Sequence, residues 1–176
     1  INPSKRLELS LQALVYAPAT RLVIAGAAEN PAYKSRLQTL SRDLGVSARV
    51  EWLGAVDEAT LIHYYANARG VVFVPQDEDY GYITLEAMLS AKPVVTVLDA
   101  GGPLEFITDG AEGVITAPDP AELGAAFLCA DLGISASPRE DHACYINNWL
   151  SAIKADAKAV FAAASAASKA VEYLST

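Results

Sequence analysis

The stretch VVFVPQDEDYGYITLEAMLSAKPVVTVL, from Val71 to Leu98, decides the fold. Val71 to Val74 is a short apolar run and reads as a strand. Pro75 to Gly81 is a polar loop, about Ile83 to Ala91 reads as a helix, and Val94 to Leu98 is a second strand. Both strands are continuous apolar runs rather than alternating ones, as expected for strands buried on both faces. Two such strands joined by a helix form the repeating unit of a parallel sheet.

The same alternation extends outward. Upstream, Leu7, Leu11 and Leu14 recur at helical spacing, so Ser4 to Tyr16 reads as an amphipathic helix. Arg21 to Ala25 is a strand closed by Gly26. Asn30-Pro31 caps a helix carrying Tyr33, Leu37, Leu40 and Leu44, and Gly45 ends it. Arg49 to Leu53 is a strand, and Asp57 caps a helix that Gly70 stops. Downstream, Ala100-Gly101-Gly102 turns into a short helix near Leu104 to Ile107, Val114 to Thr116 is a fifth strand, and Asp119-Pro120 opens another helix. From Ser137 the pattern is helical alone. The reading is a Rossmann-like doubly wound α/β domain over 1–132, with a helical C-terminal extension over 133–176 packing on it.

Composition narrows the function classes. The 176 residues are 52% hydrophobic, enough for a core. Thirteen Lys+Arg against 21 Asp+Glu give a formal charge of -8, which excludes nucleic acid as the main partner and argues against docking of this chain on anionic lipid. Two cysteines, Cys129 and Cys144, show no metal-ligand spacing and read as reduced thiols. No apolar run is long enough to span a membrane, and no signal peptide is read. The first residue is Ile1 rather than Met, so the chain is expected to be a piece of a longer protein.

In an open parallel sheet, ligands bind beyond the carboxyl ends of the strands. The loop there holds Glu78 and Glu86, with Gly81 between them and a helix start at Tyr82, Ile83 and Thr84. Free amides and the helix dipole attract phosphate. Gly81 allows close approach of the backbone. Glu86 has two oxygens to offer a ribose diol, and Glu78 has two for sugar hydroxyls. Acidic residues also simply suit the first turn of a helix, so this spacing by itself leaves both readings open. Gly101-Gly102-Pro103-Leu104-Glu105 repeats the plan, and serves equally as a tight connection with proline at the first helical position.

Several motifs in order carry a resemblance. Glu78 to Glu86 resembles an E-x7-E signature with Gly81 in its place. Ala91-Lys92-Pro93-Val94-Val95 resembles a G-x-P-V-V strand entry, with Ala91 where glycine is usual. Gly101-Gly102-x-x-Glu105 with Asp109-Gly110 and Gly113 resembles a glycine-rich stretch, Val50 to Gly54 a V-x-F-L-G strand, and Lys5 a phosphate-binding lysine. Together, over Arg21 to Pro118, they resemble the C-terminal, donor-binding domain of family 4 retaining glycosyltransferases, the C-terminal half of a GT-B fold.

The resemblance implies roles. Glu86 holds the donor ribose and Glu78 the transferred sugar. The amides around Gly81, Tyr82, Ile83 and Thr84 receive the sugar and distal phosphate, and Lys5 neutralises the diphosphate leaving group. The donor is a nucleotide diphosphate sugar. The stretch Asn2 to Arg6 looks like that of some mannosyltransferases and hints at GDP-mannose. No metal and no other cofactor is expected, and no Asp-x-Asp occurs. The partner is an N-terminal acceptor-binding domain outside this chain. The resemblance places the protein in the cytoplasm, with any contact at the inner membrane face made by that other domain.

The pattern also departs from the family. Its arginine five residues before the lysine would precede Ile1, as would its first strand, which is central in the common order; without that strand, apolar edges are expected. Neither His63, read as structural, nor His142, read as solvated, matches the family's acceptor-side histidine. A nucleotide-sugar epimerase of the same fold, or a module that binds a nucleotide sugar and is inactive alone, remain the alternatives.

Overall fold

The computed structural model describes residues 1–131, with side chains through residue 127. The expected helical extension over 133–176, with His142 and Cys144, lies outside the described residues.

Among the described residues five strands and five α-helices follow one another, alternating except where a 3-10 turn, Gly102–Glu105, joins the fourth strand to the fifth. They are α1 (Leu7–Ala13), β1 (Leu22–Ala25), α2 (Pro31–Asp43), β2 (Val50–Gly54), α3 (Glu58–Asn67), β3 (Val71–Val72), α4 (Tyr82–Leu89), β4 (Val94–Val97), β5 (Gly113–Thr116) and α5 (Pro120–Asp131). The start signals act as read. Asn30 accepts the amide of Tyr33 at 3.0 Å and Asp57 that of Thr60 at 2.8 Å, each satisfying a donor the helix leaves unpaired.

All pairing between named strands is parallel, but the ladder is in two pieces. β1 pairs with β2, and separately β3 pairs with β4 and β4 with β5. Within the described residues β4 is the only strand paired on both sides. Val23 on β1 is 39% exposed.

The core nevertheless runs across both pieces. Leu9, Ala13 and Leu14 of α1 and Leu123, Ala126 and Phe127 of α5 pack with Val95 and Val97 of β4, joined by Leu22 of β1 and Val50 of β2. On the other side, Ala87 and Met88 of α4 meet Phe73, Val94 and Ile107. Successive residues of β4 thus face opposite helical layers and all are buried. This explains why the strand reads as an unbroken apolar run.

Two elements depart from their sequence reading. The expected helix over Ser4 to Tyr16 begins as a 3-10 turn, Pro3–Lys5, and breaks at Arg6, whose backbone is left-handed at φ 45°. The expected strand Val71 to Val74 keeps ladder geometry over Val71–Val72 alone. Beyond it, Phe73 still donates its amide to Val95, while the carbonyls of Val74 and Pro75 accept from the Arg6 side chain.

Candidate active site

The site lies where the loops leaving β3 and β4 meet. The two loops are zipped together by backbone: Asp77 donates its amide to Asp99 at 3.1 Å, Glu78 to Ala100 at 2.9 Å, and Gly102 to Glu78 at 2.6 Å. This contact requires glycine. A Cβ on Gly102 would sit 2.4 Å from the Asp79 carbonyl oxygen, and one on Gly101 2.7 Å from that of Glu78. The glycine pair therefore sets the height of the Glu78 loop over the sheet.

The N-terminal turn closes the site from the third side. Ser4 accepts the amide of Gln76 at 3.1 Å. Lys5 forms an ion pair with Glu78, and its ammonium lies 5.3 Å from the centroid of the Phe73 ring, a distance at which the ring face attracts a cation. Both partners remain partly open to solvent, at 32% and 23% side-chain exposure. Arg6 turns the other way. Its guanidinium reaches Val74 O at 3.0 Å, Pro75 O at 2.5 Å and both Asp99 carboxylate oxygens at 2.7 and 2.8 Å. The hydrogen bond from Arg6 holds the Asp99 carboxyl below its ordinary range.

Gly81 opens α4 in a left-handed conformation, φ 64°, and packs on Pro103 of the second loop. Behind it the helix start differs from the expectation of three outward amides. The amide of Thr84 donates to Gly81 O at 2.8 Å, and Thr84 is fully buried. The turn closes on itself there, as helix ends often do through a tight i→i+3 bond. Ile83 sends its side chain against the Phe73–Met88 cluster. Tyr82 stacks on Tyr80 with ring centroids 5.8 Å apart, both about half exposed.

Glu86 is exposed one turn into α4 and takes its hydrogen bond from Tyr65 of α3, at 2.8 Å. The fold thus brings Lys5, Glu78 and Gly81 to one loop cluster and anchors Glu86 on a different neighbour. Neither Tyr65 nor the Arg6–Asp99 clasp is singled out from the sequence. The signals available for them were weak: Arg6 adjoins the lysine, and Asp99 stands just before the glycine turn.

His63 is exposed on α3, edge-on to Tyr64. Among the described residues no three His, Cys, Asp or Glu side chains gather to hold a metal ion, and no described helix is long and apolar enough to cross a membrane. A cleft of about 540 Å³ lies against Glu8, Tyr33, Arg36 and Leu40. None of these belongs to the strand-end loops.

Comparison with known proteins gives this geometry a family. The family model described as Glycosyl transferases group 1 matches residues 1–128. A second model, Zincin-like metallopeptidase, matches 120–166, a shorter stretch whose single histidine is His142. The alpha-1,3/1,6-mannosyltransferase of Dictyostelium discoideum is 30% identical over 102 residues, 58% of this chain and 24% of that relative. The D-inositol 3-phosphate glycosyltransferase of Mycobacterium avium is 30% identical over 119 residues, 66% of this chain and 28% of that relative. The chain therefore spans roughly a quarter of the length of these curated relatives.

Among solved structures, Anabaena HepE in complex with UDP-glucose superposes with a TM-score of 0.69 at 27% identity, over 78% of this chain and 40% of that one. The C-terminal domain of a group 1 family glycosyl transferase from Francisella tularensis gives a TM-score of 0.69 at 19% identity, over 85% of this chain and 82% of that domain. That likeness concerns the fold, a parallel α/β arrangement shared with GT-B glycosyltransferases. With residues 1–128 matched by one family and the fold in agreement, the chain belongs to the group 1 glycosyltransferases.

Proposed function

We propose that this chain is the donor-binding half of a retaining glycosyltransferase, which takes a sugar from a nucleotide diphosphate sugar while a separate domain holds the acceptor. The observation that carries the reading is the meeting of Lys5 with Glu78, 73 residues apart, at the mouth between β3 and β4 and beside the Gly81 helix start. A cation, a carboxylate and a helix start in one cluster suit a sugar joined to a diphosphate: the carboxylate accepts from sugar hydroxyls, and the cation and the amides ahead of Thr84 face the phosphates.

During transfer the bond from the sugar's anomeric carbon to the diphosphate oxygen breaks, a bond to the acceptor hydroxyl oxygen forms as that hydroxyl gives up its proton to the departing diphosphate, and negative charge builds on the leaving group in the transition state. Lys5 lowers the barrier by neutralising that charge. Lys5 is paired with Glu78. Donor entry then exchanges one ion pair for two contacts, ammonium to phosphate and carboxylate to sugar, so neither charge loses all its partners. Glu86 takes the ribose. The likeness to a UDP-glucose complex supports a uridine donor, while the resemblance of Asn2 to Arg6 to some mannosyltransferases supports GDP-mannose.

The deciding experiment is a calorimetric titration with UDP, GDP, ADP and their common sugar conjugates. One nucleotide should bind saturably, and Glu86→Ala should weaken it by about 1–3 kcal/mol, the worth of a hydrogen bond to a charged group. Glu78→Ala should lose sugar discrimination more than nucleotide affinity. Donor binding by both variants equal to that of the unaltered protein would overturn the assignment.

A further inference from the structure

Tyr65 stands at the end of a chain of contacts that the donor reading leaves unused. Its ring packs against the Phe73, Ala87 and Met88 cluster, so it is anchored from behind. Its hydroxyl donates to Oε2 of Glu86 at 2.8 Å. The two helices are clipped a second time nearby, where Lys92 donates to the carbonyl of Ala66 at 2.8 Å. Because α3 is tied to the turn after α4, the tyrosine hydroxyl meets the Glu86 carboxylate in a set place. Burial, and then Glu86 itself, push the Tyr65 hydroxyl well above the ordinary tyrosine range, so it stays a donor in neutral solution.

A glutamate on an exposed helix face would otherwise sample several rotamers, and ordering it on binding carries an entropic cost. Glu86 is exposed, and with Oε2 engaged by Tyr65 the carboxylate keeps acceptor capacity on Oε1. Resting on the donor reading above, we infer that Tyr65 is a positioning residue that sets ribose specificity: it holds the Glu86 carboxylate so that Oε1 accepts from a ribose hydroxyl of a nucleoside diphosphate. Tyr65 touches no ligand itself, and its effect passes through Glu86.

The test compares UDP and GDP with their 2′-deoxy and 3′-deoxy counterparts by calorimetry, on the unaltered protein, Tyr65→Phe, Glu86→Ala and the double variant. Tyr65→Phe keeps the anchoring ring, and thermal unfolding checks that the fold is retained. The unaltered protein should prefer one ribonucleotide over a deoxy form by about tenfold or more, the range of a hydrogen bond to a carboxylate. Tyr65→Phe should bring that ratio several-fold closer to one while leaving affinity for the deoxy form unchanged, and the double variant should match Glu86→Ala alone, because the two residues act in series. A ratio in Tyr65→Phe equal to that of the unaltered protein overturns the inference and leaves the donor reading standing. Failure of the unaltered protein to discriminate, with Glu86→Ala silent, overturns the ribose role of Glu86 and the inference with it.

Discussion

At the scale of single residues, the most informative positions are those where the backbone is left-handed without glycine. Ala91 adopts φ 53° in the turn after α4, with its amide on Met88 O at 2.9 Å. It occupies the place where the resembling motif carries glycine. A left-handed alanine costs roughly 1–2 kcal/mol, while glycine adds unfolded-state entropy worth roughly 0.5–1 kcal/mol. Ala91→Gly should therefore raise stability by about 0.5–1 kcal/mol in urea unfolding, and a loss of stability would show that the turn is unstrained. Arg6 is left-handed too, at φ 45°. There, four contacts of the guanidinium offset the strain, and the same bend sends Lys5 and Arg6 in different directions.

At the scale of elements, the site depends on how closely two loops approach. The Glu78 loop and the Gly101–Gly102 turn share a 2.6 Å hydrogen bond, and the space for a side chain at Gly102 is already filled by the backbone of Asp79. A Cβ at 2.4 Å from a carbonyl oxygen cannot be relieved by a rotamer change, because both groups are main chain. Gly102→Ala should push the Glu78 loop away from the turn, break the Lys5–Glu78 contact, and lower nucleotide-sugar affinity by about tenfold or more, since small misplacements in a binding constellation are costly. Unchanged affinity in the same titration would mean that the loop spacing is unimportant to the donor. The helix itself depends less on this zip, since Gly81 and Thr84 close its first turn internally.

At the scale of the whole molecule, the N-terminal turn clasps the sheet from above. Arg6 and Asp99 are 93 residues apart and join the first turn to the end of β4. The hydrogen bond from Arg6 is the main cause of the lowered Asp99 pKa, with burial opposing it. A carboxyl whose pKa is lower in the folded than the unfolded state contributes stability above its unfolded value, about 4, and loses it as pH falls toward the folded value. Acid unfolding should therefore carry a contribution from this pair below about pH 4. Asp99→Asn should flatten the stability profile in that window and leave its shape near neutrality unaltered, as read by chemical denaturation at successive pH values. An unaltered acid limb would show that the clasp is too solvated to matter.

The alternation of strands and helices, the buried character of β4, the caps at Asn30 and Asp57 and the order of motifs were all legible in the sequence. Each is local: apolar period, cap chemistry and glycine placement act over a few residues and need no knowledge of the rest of the chain. The motifs in order carried a resemblance to a glycosyltransferase family, and the match of residues 1–128 to the group 1 family established membership. What only the tertiary structure decided was which groups meet. The pairing of Lys5 with Glu78, the clasp of Arg6 on Asp99 and the hold of Tyr65 on Glu86 join residues 73, 93 and 21 positions apart. The inward turn of the Thr84 amide was equally hidden, whereas open strand edges were expected from the sequence and are found in the two-piece ladder. Such contacts depend on strand register, loop height and packing of one helix on another, which arise from the sum of many distant interactions rather than from the period of any one segment.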